Sequence, residues 1–198
     1  MTEIHHIFKG IPERDLEGAL DQSGFLTIKG QDLLRRIGVE TEARVSIGKS
    51  TIQNLVSLYN EWKKPKTPLD PESELIIGKF LSIPEDDVYL QEKLDVLTKS
   101  YKMGIKIGEG TKIGEEVSLG LGVSIGRHCE ISDLCELCIF STIHDRVYLG
   151  KAAFIGKDSD VETGSRVMAK AVIAPRNIVK ENSVITEGIV FNENKKYR

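Results

Sequence analysis

From Ile107 to Ile185 every sixth residue is Ile, Leu or Val without a gap: Ile113, Leu119, Ile125, Ile131, Leu137, Ile143, Leu149, Ile155, Val161, Val167, Ile173 and Val179 lie between. Neither the 3.6-residue period of a helix nor the alternation of short strands produces such a column. A second column, four residues after each aliphatic, holds mostly small side chains, among them Thr111, Cys129, Cys135, Ser141, Ala153, Ser159 and Ser165. A fixed internal period dictates a stacked repeat, because one unit cannot bury its own apolar side chain. Three hexads make one triangular coil. Each aliphatic fills the inside of a flat face, and the small residue fits where the chain turns a corner. Glycine often follows the aliphatic, at 108, 114, 120, 126, 150 and 156, where it is expected to relax the backbone near the turn.

These two columns resemble those of the hexapeptide-repeat, left-handed parallel β-helix superfamily. The predicted fold class is mainly β: a left-handed parallel β-helix over 104–188, preceded by a smaller mixed, mostly helical N-terminal region over 1–103 and followed by a C-terminal tail over 189–198. The period is absent from the first hundred residues. There "TIKGQDLLRRIG" reads as a short strand and turn, or a short helix. "STIQNLVSLYNEW" reads as a helix with Ser50 or Thr51 at its N-cap. The proline-rich "WKKPKTPLDPES" reads as a linker, and "SIPEDDVYLQEKLDVLTKSYK" as a helix opened by a capping box from Ser82 to Glu85.

A formal net charge of −3 provides no electrostatic reason to expect nucleic acid or an anionic membrane as a partner. No apolar run approaches the roughly 18–20 residues of a membrane span. The opening "MTEIHHIFKG" lacks the apolar centre of a signal peptide. Cys129, Cys135 and Cys138 are an odd set that does not suggest a disulfide scaffold, and a cytoplasmic, reducing compartment is expected. "CELC" has the spacing of a zinc pair, with His128 nearby. Cys129 and Cys135, however, fall in the inward small slot, where a thiol packs as a small hydrophobe, and no metal is expected. "ARVSIGKS" satisfies only the loosest phosphate-loop pattern; a strand, a turn at Gly48 and a capped helix account for it.

The glycine-rich slot departs from glycine at Ser132, Cys138 and His144 in succession. Residues one coil apart stack at about 4.8 Å, the spacing of paired strands. The His144 column therefore reads Gly108, Gly126, His144, Glu162, Lys180, and the next reads Glu109, Arg127, Asp145, Thr163, Glu181. Glu162 or Asp145 can orient the imidazole and raise its basicity, and Arg127 can pair with Asp145. A surface ladder of stacked charges is the alternative.

"IHDRVYLG" looks like the His-Asp-containing coil of the sugar acyltransferases in this superfamily. That resemblance implies a homotrimeric acyltransferase using acetyl-CoA on a hydroxyl or amine of a small acceptor, such as a nucleotide-linked sugar. His144 would be the general base, oriented by Glu162 or Asp145. Arg176 and Lys180, in a segment like the family's final coil, would meet the coenzyme phosphates. A second reading is a non-catalytic trimeric module, favoured by the uninterrupted repeat. A third is a γ-class carbonic anhydrase, whose site takes three histidines where this β-helix holds only His128 and His144.

Overall fold

A computed structural model describes residues 16–63, 88–89, 92–93, 96 and 102–192. It is a parallel β-helix of about five turns, with two helices towards the N-terminus, in line with the expected fold class. In space the six-residue period is a two-residue strand followed by a four-residue corner. The first strand residue points outward and the second inward, as in Thr142–Ile143 and Asp160–Val161.

Three parallel sheets form the faces. The first contains Val39–Thr41 (β1), Ile105–Ile107, Ser124–Ile125, Thr142–Ile143, Asp160–Val161 and Ile178–Val179. The second contains Ser46–Ile47 (β2), Lys112–Ile113, Glu130–Ile131, Tyr148–Leu149, Arg166–Val167 and Val184–Ile185. The third runs from Ser118–Leu119 through Glu136–Leu137, Phe154–Ile155 and Val172–Ile173 to Val190–Phe191. From Ile107 to Ile185 the inward column is buried throughout, with Leu137, Ile155 and Val179 fully shielded.

The sheets reach beyond 104–188 at both ends. β1 pairs with Ile105–Ile107 and β2 with Lys112–Ile113, so residues 39–47 supply part of a coil. Val190–Phe191 pairs with Val172–Ile173. The repeat was invisible at 39–47 because Thr41 stands in the aliphatic column and the chain leaves into a helix after one hexad.

Every sixth residue from Gly104 to Gly188 has positive φ, three positions after the aliphatic. Most are not glycine: His128, Leu134, Phe140, Arg146 and Arg176 are among them. The left-handed conformation costs a non-glycine residue about 1–2 kcal/mol. It also turns the corner N–H towards the preceding coil, so that Arg146 N–H donates to Arg127 O at 2.8 Å and Gly164 N–H to Asp145 O at 3.0 Å. The hydrogen-bond ladder thus continues through the bend. This corrects the expectation for the glycine column: none of the glycines at 108, 114, 120, 126, 150 and 156 has positive φ. They are glycine because the next coil passes too close. A Cβ on Gly126 would stand 2.7 Å from Asp145 N and from His144 C.

Helix α1 (Ile28–Arg36) precedes β1, and α2 (Lys49–Lys63) leaves β2 to close the N-terminal end of the prism. Thr27 caps α1, its hydroxyl accepting from Gly30 N–H. The expected cap of α2 by Ser50 or Thr51 is replaced by a distant one, the Glu115 carboxylate. Ser50 and Thr51 serve the β-helix instead. Glu116 N–H donates to Ser50 Oγ at 2.7 Å and Val117 N–H to Thr51 Oγ1 at 3.0 Å, bonds that a preceding coil would otherwise supply.

The linker and the capping box at Ser82 lie outside the described residues. Of the second expected helix, 88–89, 92–93 and 96 are described and are helical. Among the described residues no helix is long and apolar enough to cross a membrane.

Candidate functional site

His144 stands on the corner between the first and second faces, following the buried Ile143. Its Nε2 lies 3.5 Å from Oδ1 of Asp160, and the two side chains are 46% and 44% exposed. Asp160 is the outward residue of the next strand on the first face. Reading the sequence down columns passed over this carboxylate, because a corner residue also neighbours the strand residue that precedes the next corner. The outward column of the first face, Lys106, Ser124, Thr142, Asp160, was the signal that could have found it.

The two carboxylates expected to orient His144 are engaged elsewhere. Glu162 accepts the backbone N–H of Glu181 at 3.0 Å and Lys180 Nζ at 3.2 Å. These two donors, in that order, hold its carboxyl below the usual range, and the nearby His144 adds a smaller effect. Asp145 Oδ1 accepts the backbone N–H of Arg127 at 2.7 Å. The expected side-chain pair between Arg127 and Asp145 does not form. The Arg127 guanidinium turns back to Glu42, with Nε at 2.9 Å and Nη2 at 3.1 Å. Glu42 also accepts Glu109 N–H at 3.0 Å, and the guanidinium, ahead of that N–H, keeps its carboxyl low.

His144, Asp145, Glu162 and Lys180 therefore share one corner, whereas Arg176 lies on another, at the opposite end of Ile178–Val179. Lys180 is exposed and Arg176 half-buried. A groove of about 410 Å³ runs over the first face beside this corner, bordered by Glu40, Glu42, Lys106, Ser124, Arg127 and Asp145.

Cys129 and Cys135 are 2% and 1% exposed. Burial raises both thiols, Cys135 to about 11, so each stays protonated and donates to a backbone carbonyl. Cys138 is half-buried. Among the described residues no group of three or more His, Cys, Asp or Glu side chains is arranged to hold a metal ion.

No family model and no curated protein matches the sequence. Among solved structures, the chain aligns with a histidine-to-asparagine mutant of perosamine N-acetyltransferase from Caulobacter crescentus, in complex with CoA and GDP-perosamine. Identity there is 17% and the TM-score 0.34, over 52% of this chain and 59% of that one. A histidine-to-alanine mutant of GDP-perosamine N-acetyltransferase from Caulobacter crescentus, with the same two ligands, aligns at 19% identity and TM-score 0.25, over 51% and 58%. The chain spans less than two thirds of either structure. Likeness at this level carries no argument about activity; the fold rests on its own strand pairing.

Proposed function

We propose that the chain is an acyltransferase that moves an acyl group from acetyl-CoA to a hydroxyl or amine of a small acceptor, nucleotide-linked sugars being the first class to test. The observation that supports it most is His144 Nε2 beside the Asp160 carboxylate on an exposed corner. An imidazole in that setting takes a proton from a nucleophile, and the carboxylate stabilises the resulting imidazolium. The acceptor oxygen or nitrogen attacks the thioester carbonyl, the C–S bond breaks, and the leaving thiolate takes the proton back from His144.

In this reading Asp160 orients the base, while Asp145 and Glu162 contribute through their field. Arg176 meets the coenzyme phosphates; Lys180 does so only by giving up Glu162. The pantetheine arm lies between subunits of a homotrimer, whose three-fold symmetry makes three equal grooves. No metal enters the reaction, and the protein works in the cytoplasm.

The repeat runs from Ile105 to Phe191 without an ejected loop, and this favours a second reading, a non-catalytic trimeric module. One experiment separates the two: acyl-CoA turnover over a panel of acceptors for wild type, His144→Ala and His128→Ala, with thermal melting alongside. A general base contributes about 10²–10⁴ in rate. Loss of that size confined to His144→Ala, with melting unchanged, supports the enzyme. Equal turnover in both variants rejects the base, and a wild type that neither binds nor turns over acyl-CoA leaves the module.

A further inference from the structure

The interior side chain of each corner links its own coil to the next. At several corners it donates to the backbone carbonyl fifteen residues on, whereas Ser141 donates to Cys138 O and Asn177 to Ala174 O within their own corners. Thr111 reaches Gly126 O at 2.7 Å, Ser159 reaches Ala174 O at 2.9 Å and Ser165 reaches Lys180 O at 2.7 Å. At His144 the rung is a cysteine: Cys129 Sγ lies 2.9 Å from His144 O. Cys129 N–H in turn donates to Thr111 Oγ1 at 3.1 Å. The His144 N–H donates to Val161 O at 2.9 Å. Both polar groups of the histidine backbone are thereby fixed, one by the next coil and one from the interior.

We infer that Cys129 is a positioning residue for His144: its thiol holds the histidine carbonyl from inside the coil and so sets the direction in which the imidazole leaves the corner towards Asp160. A thiol differs from the hydroxyls of neighbouring rungs in its longer bond to Cβ and weaker donation. It therefore seats the corner differently from a serine or threonine. A small rotation of the corner peptide becomes a larger displacement at Nε2, the far end of the side chain. Only the kinetic arm of the test depends on the proposed acyl transfer.

The natural control lies one corner on. Cys135 Sγ donates to Gly150 O at 3.2 Å, with matching burial, but on a different corner from His144. The test compares Cys129→Ala, Cys129→Val, Cys129→Ser and Cys135→Ala by NMR of the histidine rings, with His144 assigned from His144→Ala. Cys129→Ala is expected to shift the His144 ring resonance by more than that of His128. Cys129→Val keeps most of the volume without the donor and shows the same shift, which preserves the test if the alanine variant does not fold. Cys129→Ser keeps a donor but seats the corner differently, so it is expected to move the His144 resonance by less than Cys129→Ala does, and Cys135→Ala leaves His144 unmoved. An unchanged His144 in both Cys129→Ala and Cys129→Val overturns the inference, as does an equal shift in Cys135→Ala. In turnover, Cys129→Ala lowers kcat roughly tenfold or more with KM near wild type, the size expected of a misaligned reacting group. Absence of turnover in wild type rejects the acyltransferase while the ring measurement still decides the positioning role.

Discussion

The Glu115 carboxylate accepts the backbone N–H groups of Lys49 at 3.1 Å and Ser50 at 2.8 Å, capping a helix that begins some 66 residues earlier in the chain. Negative charge at a helix N-terminus is favourable, and these donors have no partner within the helix. The same contact seats α2 over the end of the β-helix, where Thr51 Oγ1 donates to Gly114 O at 2.7 Å.

Glu115→Ala is expected to cost about 1 kcal/mol, the usual value of a lost cap, with solvent exposure keeping it towards the low end. Thermal melting at neutral pH reads this. A melting temperature equal to that of wild type would show that α2 does not depend on the cap.

The same contact carries a pH dependence. The Ser50 hydroxyl, ahead of the Ser50 and Lys49 N–H groups, holds the Glu115 carboxyl below its usual range. A folded-state pKa below the unfolded one gives stabilisation that is complete above the unfolded value, about 4.3, and is lost as pH falls through the folded value. The stability gap between wild type and Glu115→Gln is therefore expected at pH 7 and should close on acidification below about pH 4. A gap of constant size from pH 7 to acid would contradict the assignment.

Ile155→Asp buries a carboxylate at a position with no exposed surface and is expected to cost several kcal/mol. A variant that melts like wild type would mean the inward register is wrong.

Gly126→Ala and Gly188→Ala separate two uses of glycine. A Cβ at 126 meets backbone atoms of the next coil, including those of His144 and Asp145, whereas at 188 nothing lies within 4 Å and φ is +68°. Gly188→Ala should cost about 1 kcal/mol from backbone strain alone. Gly126→Ala should cost about 1–3 kcal/mol, as overpacking does, and displace the His144 corner. Denaturant melts of the two variants give the order, and the reverse order would refute the close-approach explanation.

Sedimentation should give about three times the 22.0 kDa chain mass for the proposed homotrimer. A clean monomer at micromolar concentration would remove the inter-subunit groove from the proposal.

The β-helix was legible in the sequence because its determinant is local and repeated. An aliphatic at every sixth position names the inside of each face, and hydrophobic burial enforces one register over many coils. The corner carrying His144 and Asp145 was legible for the same reason. Tertiary structure alone decided which polar groups meet there. Stacking eighteen residues apart ranks Glu162 beside His144, but a flexible carboxylate goes to the strongest donors within reach, and for Glu162 those are Lys180 and the Glu181 N–H. Asp160 took its place beside His144 by lying on the adjacent strand. The coil fragment at 39–47, the Glu42–Arg127 pair and the cap of α2 by Glu115 were equally hidden. Each joins segments more than sixty residues apart in the chain, and no period in the sequence records which distant donors and acceptors will be brought together.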